Sequence, residues 1–128
     1  MKFFLNDSTG HLRSPLLKRG IVIGRYDSSF FADQEKRYLL REEVTGKCVS
    51  LIASVLPAPE SLFDLLALHR LLQENGAAGI TLIIPYLGYA RQDHPGKKGE
   101  AGIGVMLAKL LRQTTAATRV VVDLHSDR

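Results

Sequence analysis

The spacing of apolar residues changes along this chain, and each change marks an element. Ile80-Thr-Leu-Ile-Ile84 is a short, β-branched run bounded by Gly79 and Pro85, which reads as a buried strand of a parallel sheet. Val120 to Leu124 has the same character. Between them Ile103, Met106, Leu107, Leu110 and Leu111 recur at i, i+3, i+4, i+7 and i+8, one apolar stripe of a helix expected to begin near Gly99-Glu100-Ala101. Strand, helix, strand predicts a βαβ unit whose two strands end on the same rim of the sheet. Open α/β sheets take their ligands along that carboxyl rim. Here the rim would carry the loop Pro85-Tyr-Leu-Gly-Tyr-Ala-Arg-Gln-Asp93 and the turn Asp123-Leu-His125. Residues of these types predict an anionic, metal-bearing ligand, with Arg91 and His125 converging on one pocket.

Upstream, Leu62, Leu65, Leu66 and Leu72 mark a helix from Glu60 to Glu74 that follows Pro57-Ala-Pro59 and stops at Asn75-Gly76. Lys2 to Leu5 reads as an opening strand, Ile21 to Tyr26 as a second strand and Val49 to Val55 as a core strand, with Leu12 to Arg19 a short helix or irregular segment. Gln34 to Arg41 fits strand and helix periods alike, and its place between two strand-like runs favours an edge or hairpin strand. The front half is therefore expected to form a small mixed sheet, and the rest a regular β-α-β-α-β unit. No repeat, low-complexity tract or linker interrupts it. A chain that stops at Arg128, just past a core strand, reads as truncated and without the helix that should cover that strand, so self-association or poor solubility is expected.

With 128 residues and 45% hydrophobic content, the chain fits one globular domain. Its 17 basic and 13 acidic side chains give +4 without a run of five or six like charges, which suits anionic small molecules better than nucleic acid. The single cysteine, Cys48, cannot form an internal disulfide; it is expected to be a buried structural thiol in a reducing cytoplasm. No run approaches a membrane span, and the N-terminus is too short for a signal segment. His69 is expected to serve packing or the surface, and His11 and His94 to be solvated. The glycines form neither a GxGxxG nor a GxxxxGK[ST] loop, which removes the main support for dinucleotide and P-loop readings.

Ile84-Pro-Tyr-Leu-Gly-Tyr-Ala-Arg-Gln-Asp93 together with Val122-Asp-Leu-His125 closely resembles the amino-terminal half of ribose-phosphate pyrophosphokinase. Phe31-Ala-Asp-Gln-Glu35 and Glu42-Glu-Val-Thr-Gly46 resemble that family's Phe-Ser-Asp-Gly-Glu segment and its downstream Val-Arg-Gly, with Gln34 standing in place of a glycine. Pro59-Glu-Ser61 stands where many members carry Asn-Asp-Asn, and His94-Pro95-Gly96 precedes Lys97-Lys98 where a basic pair follows directly. The resemblance implies a phosphoribosyltransferase-like three-layer α/β domain with a mostly parallel sheet and a small mixed or hairpin extension. This would be the first of two similar domains, spanning 1–128. It implies synthesis of phosphoribosyl pyrophosphate from ATP and ribose 5-phosphate with magnesium in a homo-oligomer. Arg91 and Gln92 would then hold ATP, and His125, supported by Asp123, would ligate magnesium on ATP. Asp33 and Glu35 would reach the adenine of a neighbouring subunit. The catalytic loops of the second domain have no counterpart here, so the isolated chain is expected not to turn over. Two alternatives stand beside this reading. One is a noncatalytic regulatory or scaffolding homologue. The other, a stand-alone phosphoribosyltransferase, would need two adjacent acids and a Thr/Gly-rich loop after the strand, where only Asp123 follows the valines.

Overall fold

A computed structural model of the chain describes residues 1–124. In order these are β1 (Lys2–Leu5), a 3-10 turn over Asp7–Leu12, α1 (Arg13–Lys18), β2 (Tyr26–Phe30), β3 (Lys36–Leu40) and β4 (Cys48–Ile52). Then follow α2 (Glu60–Glu74), β5 (Gly79–Tyr86), a 3-10 turn over Ala90–Gln92, α3 (Ile103–Arg112) and β6 (Thr118–Asp123). The central sheet runs β1-β4-β5-β6 with every pair parallel, and β2 and β3 make a separate antiparallel hairpin.

Register explains why the strands read as continuous apolar runs. Phe4, Leu51 and Leu82 are neighbours across three strands and face Leu65, Leu68 and Leu72 of α2 with Leu107 and Leu111 of α3. One residue further, Leu5, Ile52 and Ile83 turn to the other face, where Leu12 and Leu16 pack. Alternation with period two thus buries both faces, giving the expected layers of helix, sheet and helix. Burial of each α2 leucine contributes about 2 kcal/mol. The second face is barest at β6, where Val120 and Val122 are 42% and 71% exposed.

The buried stripe of α2 is Ser61, Asp64, Leu65, Leu68, His69 and Leu72, and Gly76 ends the helix at φ +82°. His69 is buried rather than at the surface, its Nε2 has no partner among the described residues, and burial together with the Arg119 cation holds its imidazole below the usual value.

Other expectations are corrected. Ile21 to Arg25 is not a strand: Gly24 is pressed against the Phe4 ring, and the segment meets β1 through one bridge, Phe3 to Ile23, before β2 begins at Tyr26. The front half is not one mixed sheet, because β1 joins β4 in the main sheet. Cys48 is exposed, since it begins β4 ahead of the residues that the helices cover. β5 runs through Pro85 to Tyr86, and α3 starts only at Ile103, after a turn in which Gly99 has φ +95°. Met106 is 49% exposed, so the buried part of its stripe is Leu107 and Leu111.

Candidate functional site at the carboxyl rim

β5 and β6 end side by side, with Tyr86 opposite Asp123 in the register. The parallel βαβ unit predicted for this rim is present. Around the two strand ends, Arg91, Gln92 and Asp123 line one cavity of about 470 Å³ with Pro57, Tyr86 and Tyr89. His125 lies outside the described residues. Arg91 and Asp123 make no ion pair or side-chain hydrogen bond with any other described residue, and a guanidinium fork and a carboxylate border one shared space.

The loop that carries Arg91 is fixed from several sides. The exit of β4 is stitched to the exit of β5: Val55 N–H donates to the Tyr86 carbonyl at 2.9 Å, Gly88 N–H to the Val55 carbonyl at 2.6 Å, and Tyr86 N–H to Ser54 Oγ at 3.2 Å. A Cβ on Gly88 would lie 2.5 Å from the Val55 carbonyl oxygen, so the chains approach this closely only because residue 88 has no side chain. Tyr89 follows with φ +65°, in the left-handed region, and its hydroxyl donates to the Pro57 carbonyl. Beyond the 3-10 turn, Gly104 of α3 admits the Gln92 backbone, since a Cβ there would meet the Gln92 carbonyl oxygen at 2.6 Å. Asp123 is placed by β6. Arg119 on that strand donates to the Leu111 and Thr114 carbonyls, binding β6 to the C-terminal end of α3.

Asp33 and Glu35 stand elsewhere, in the turn between β2 and β3. There the Glu35 N–H donates to Asp33 Oδ1 at 3.0 Å and the Phe31 N–H to the Glu35 carbonyl at 2.9 Å. Gln34 between them has φ +73°. Glu35 borders a different cavity, of about 650 Å³, with Phe30, Lys36, Tyr38, Phe63 and Asp64. Within one chain the structure therefore brings Arg91, Gln92 and Asp123 together and leaves the acidic pair apart. The hairpin is anchored by Asp64, whose carboxylate accepts from Lys36 Nζ at 3.0 Å and from the Tyr38 hydroxyl. Burial and that hydrogen bond raise the Tyr38 phenol above its usual range. Burial alone would lower the Lys36 ammonium, but its bonds to Asp7 and Asp64 hold it above its usual value. Asp64 and Tyr89 are the residues that the sequence reading missed. For Asp64 a signal existed, an acid on the apolar stripe of α2. For Tyr89 there was none, because its partner Pro57 is 32 residues away.

Among the described residues no group of three or more His, Cys, Asp or Glu could hold a metal, and no helix is long and apolar enough to cross a membrane. The fold matches a solved phosphoribosylpyrophosphate synthetase from Mycobacterium smegmatis with a TM-score of 0.87 at 26% identity, over 98% of this chain and 43% of that one. Ribose-phosphate pyrophosphokinases from Corynebacterium ammoniagenes and Fusobacterium nucleatum are each 33% identical, over 98% and 100% of this chain and 40% and 41% of their own. The chain thus spans about two fifths of the length of these relatives. Residues 2–115 match the family model described as the N-terminal domain of ribose phosphate pyrophosphokinase, and the chain belongs to that family.

Proposed function

We propose that this chain is the ATP-binding half of a cytoplasmic enzyme that transfers pyrophosphate from Mg-ATP to ribose 5-phosphate, forming phosphoribosyl pyrophosphate and AMP. The observation that carries the reading is the convergence of Arg91, Gln92 and Asp123 on one cavity at the carboxyl rim of a parallel sheet. Transfer of this kind depends on positioning and on neutralising the charge that develops on phosphate oxygens. Arg91 supplies a planar fork matched to such oxygens, and Gln92 a neutral amide beside it. Asp123 offers the hard oxygen ligand that magnesium prefers. Magnesium is commonly held by one or two carboxylates and by the substrate's own phosphates, and Asp123 supplies one such carboxylate. Magnesium bound there would neutralise phosphate charge, with His125 as a further ligand.

Asp33 and Glu35, away from this cavity on an exposed hairpin turn, suit contact with the adenine of a neighbouring subunit in a homo-oligomer. Ribose 5-phosphate and the mobile catalytic loop belong to a second domain, and this chain alone is inactive. Gln34 takes a left-handed backbone that a glycine would also adopt, so the turn Asp33-Gln-Glu35 is compatible with either residue. Calorimetric titration with Mg-ATP tests the reading. Wild type is expected to bind at least ~10-fold more tightly than Arg91→Ala, about 1.4 kcal/mol; equal affinities would refute it.

A further inference from the structure

We infer that Tyr89 is a positioning residue of this site, its hydroxyl bond to the Pro57 carbonyl setting the turn that presents Arg91 to the ligand. The inference rests on the reading of the cavity as a Mg-ATP site and goes beyond it, to a lining residue whose hydroxyl is engaged by the neighbouring loop at Pro57.

Three observations support it. Tyr89 has φ +65°, a conformation that a bulky side chain adopts only where its surroundings enforce it. The enforcement is visible: Gly88 ahead of it is bonded to Val55, and the Tyr89 hydroxyl reaches Pro57, so consecutive residues of one loop are tied to a single stretch of the β4–α2 connection. The Tyr89 carbonyl also accepts the Gln92 N–H at 3.0 Å, closing the 3-10 turn that holds Arg91. The backbone angle at 89 therefore dictates where residues 90 to 92 point. The ring packs against the main core as well, and that packing would survive loss of the oxygen.

Tyr89→Phe separates the two contributions, because it keeps the ring and removes the tie. Three readouts on the 128-residue chain decide the matter: Mg-ATP calorimetry, the melting temperature, and amide hydrogen exchange at Gln92. Tyr89→Phe is expected to weaken Mg-ATP binding about 5- to 10-fold and to speed exchange at Gln92 by a similar factor, with exchange in the β4 and β5 amides unchanged. Arg91→Ala should weaken binding while leaving Gln92 exchange at the wild-type rate. If Tyr89→Phe matches wild type in affinity and in Gln92 exchange while Arg91→Ala binds weakly, the positioning role is wrong and the ATP reading stands. If Tyr89→Phe speeds exchange everywhere alike, the hydroxyl is a general stabiliser and the inference fails. If Arg91→Ala binds as wild type does, the ATP reading itself falls, and the role of Tyr89 toward that ligand falls with it.

Discussion

Among the described residues, two turns hold a non-glycine residue in the left-handed region, Tyr89 near Arg91 and Gln34 between Asp33 and Glu35. They hold it by different means. The first turn is bound to the β4–α2 loop through Gly88 and the Tyr89 hydroxyl, and its Gln92 backbone is seated on Gly104 of α3. The second is an exposed hairpin tip closed by its own hydrogen bonds, Phe31 with Glu35 and Gln34 with Phe31, each at 2.9 Å. Tertiary contacts over-determine the strain in one turn, while only local bonds oppose its relaxation in the other. A site that must be rigid before its ligand arrives and a segment suited to adapt to a neighbour would differ in this way.

The largest test strikes the over-determined turn. Gly88→Ala places a methyl against the Val55 carbonyl and is expected to cost about 2–3 kcal/mol, seen as a lower urea midpoint. A midpoint near wild type would mean that the loops are not tightly joined. Next comes Asp64→Ala, which removes the acceptor of Lys36 and Tyr38 and should cost about 2 kcal/mol. Its effect should fall on the hairpin, with faster exchange in β2 and β3 and an unaltered Arg91 loop; disturbance of both turns would erase the distinction drawn here. The smallest effect has the opposite sign. Gln34→Gly relieves the φ +73° backbone and should stabilise by about 0.5 kcal/mol, strain relief outweighing the added freedom of the unfolded chain. Tyr89→Gly, by contrast, should destabilise, since it loses a packed ring and a tie. Equal gains from both glycines would show that the turns are held alike.

Local periodicity carried most of the architecture. The apolar runs of β4, β5 and β6 were legible as short continuous stretches, and the stripes of α2 and α3 as repeats of about 3.6 residues. Ile21 to Tyr26 was misread for the same reason. Its apolar run Ile21-Val-Ile23 is real, but Gly24 on the Phe4 ring leaves room for a single bridge. In the site, Arg91, Gln92 and Asp123 were legible through the motif and the expected rim. The Tyr89–Pro57 tie and the Asp64 anchor join residues 32 and 26 apart, contacts that no short window of sequence contains.

Cys48 has a practical consequence. Strand β4 starts with this exposed thiol and ends toward the rim where Arg91 stands, so sulfur and cavity are separated by the strand's length, roughly 15 Å at 3.3 Å per residue. As the chain's sole cysteine, it accepts one maleimide fluorophore at a defined address. A dye there would sit at the opposite end of the strand from the cavity and leave its entrance clear.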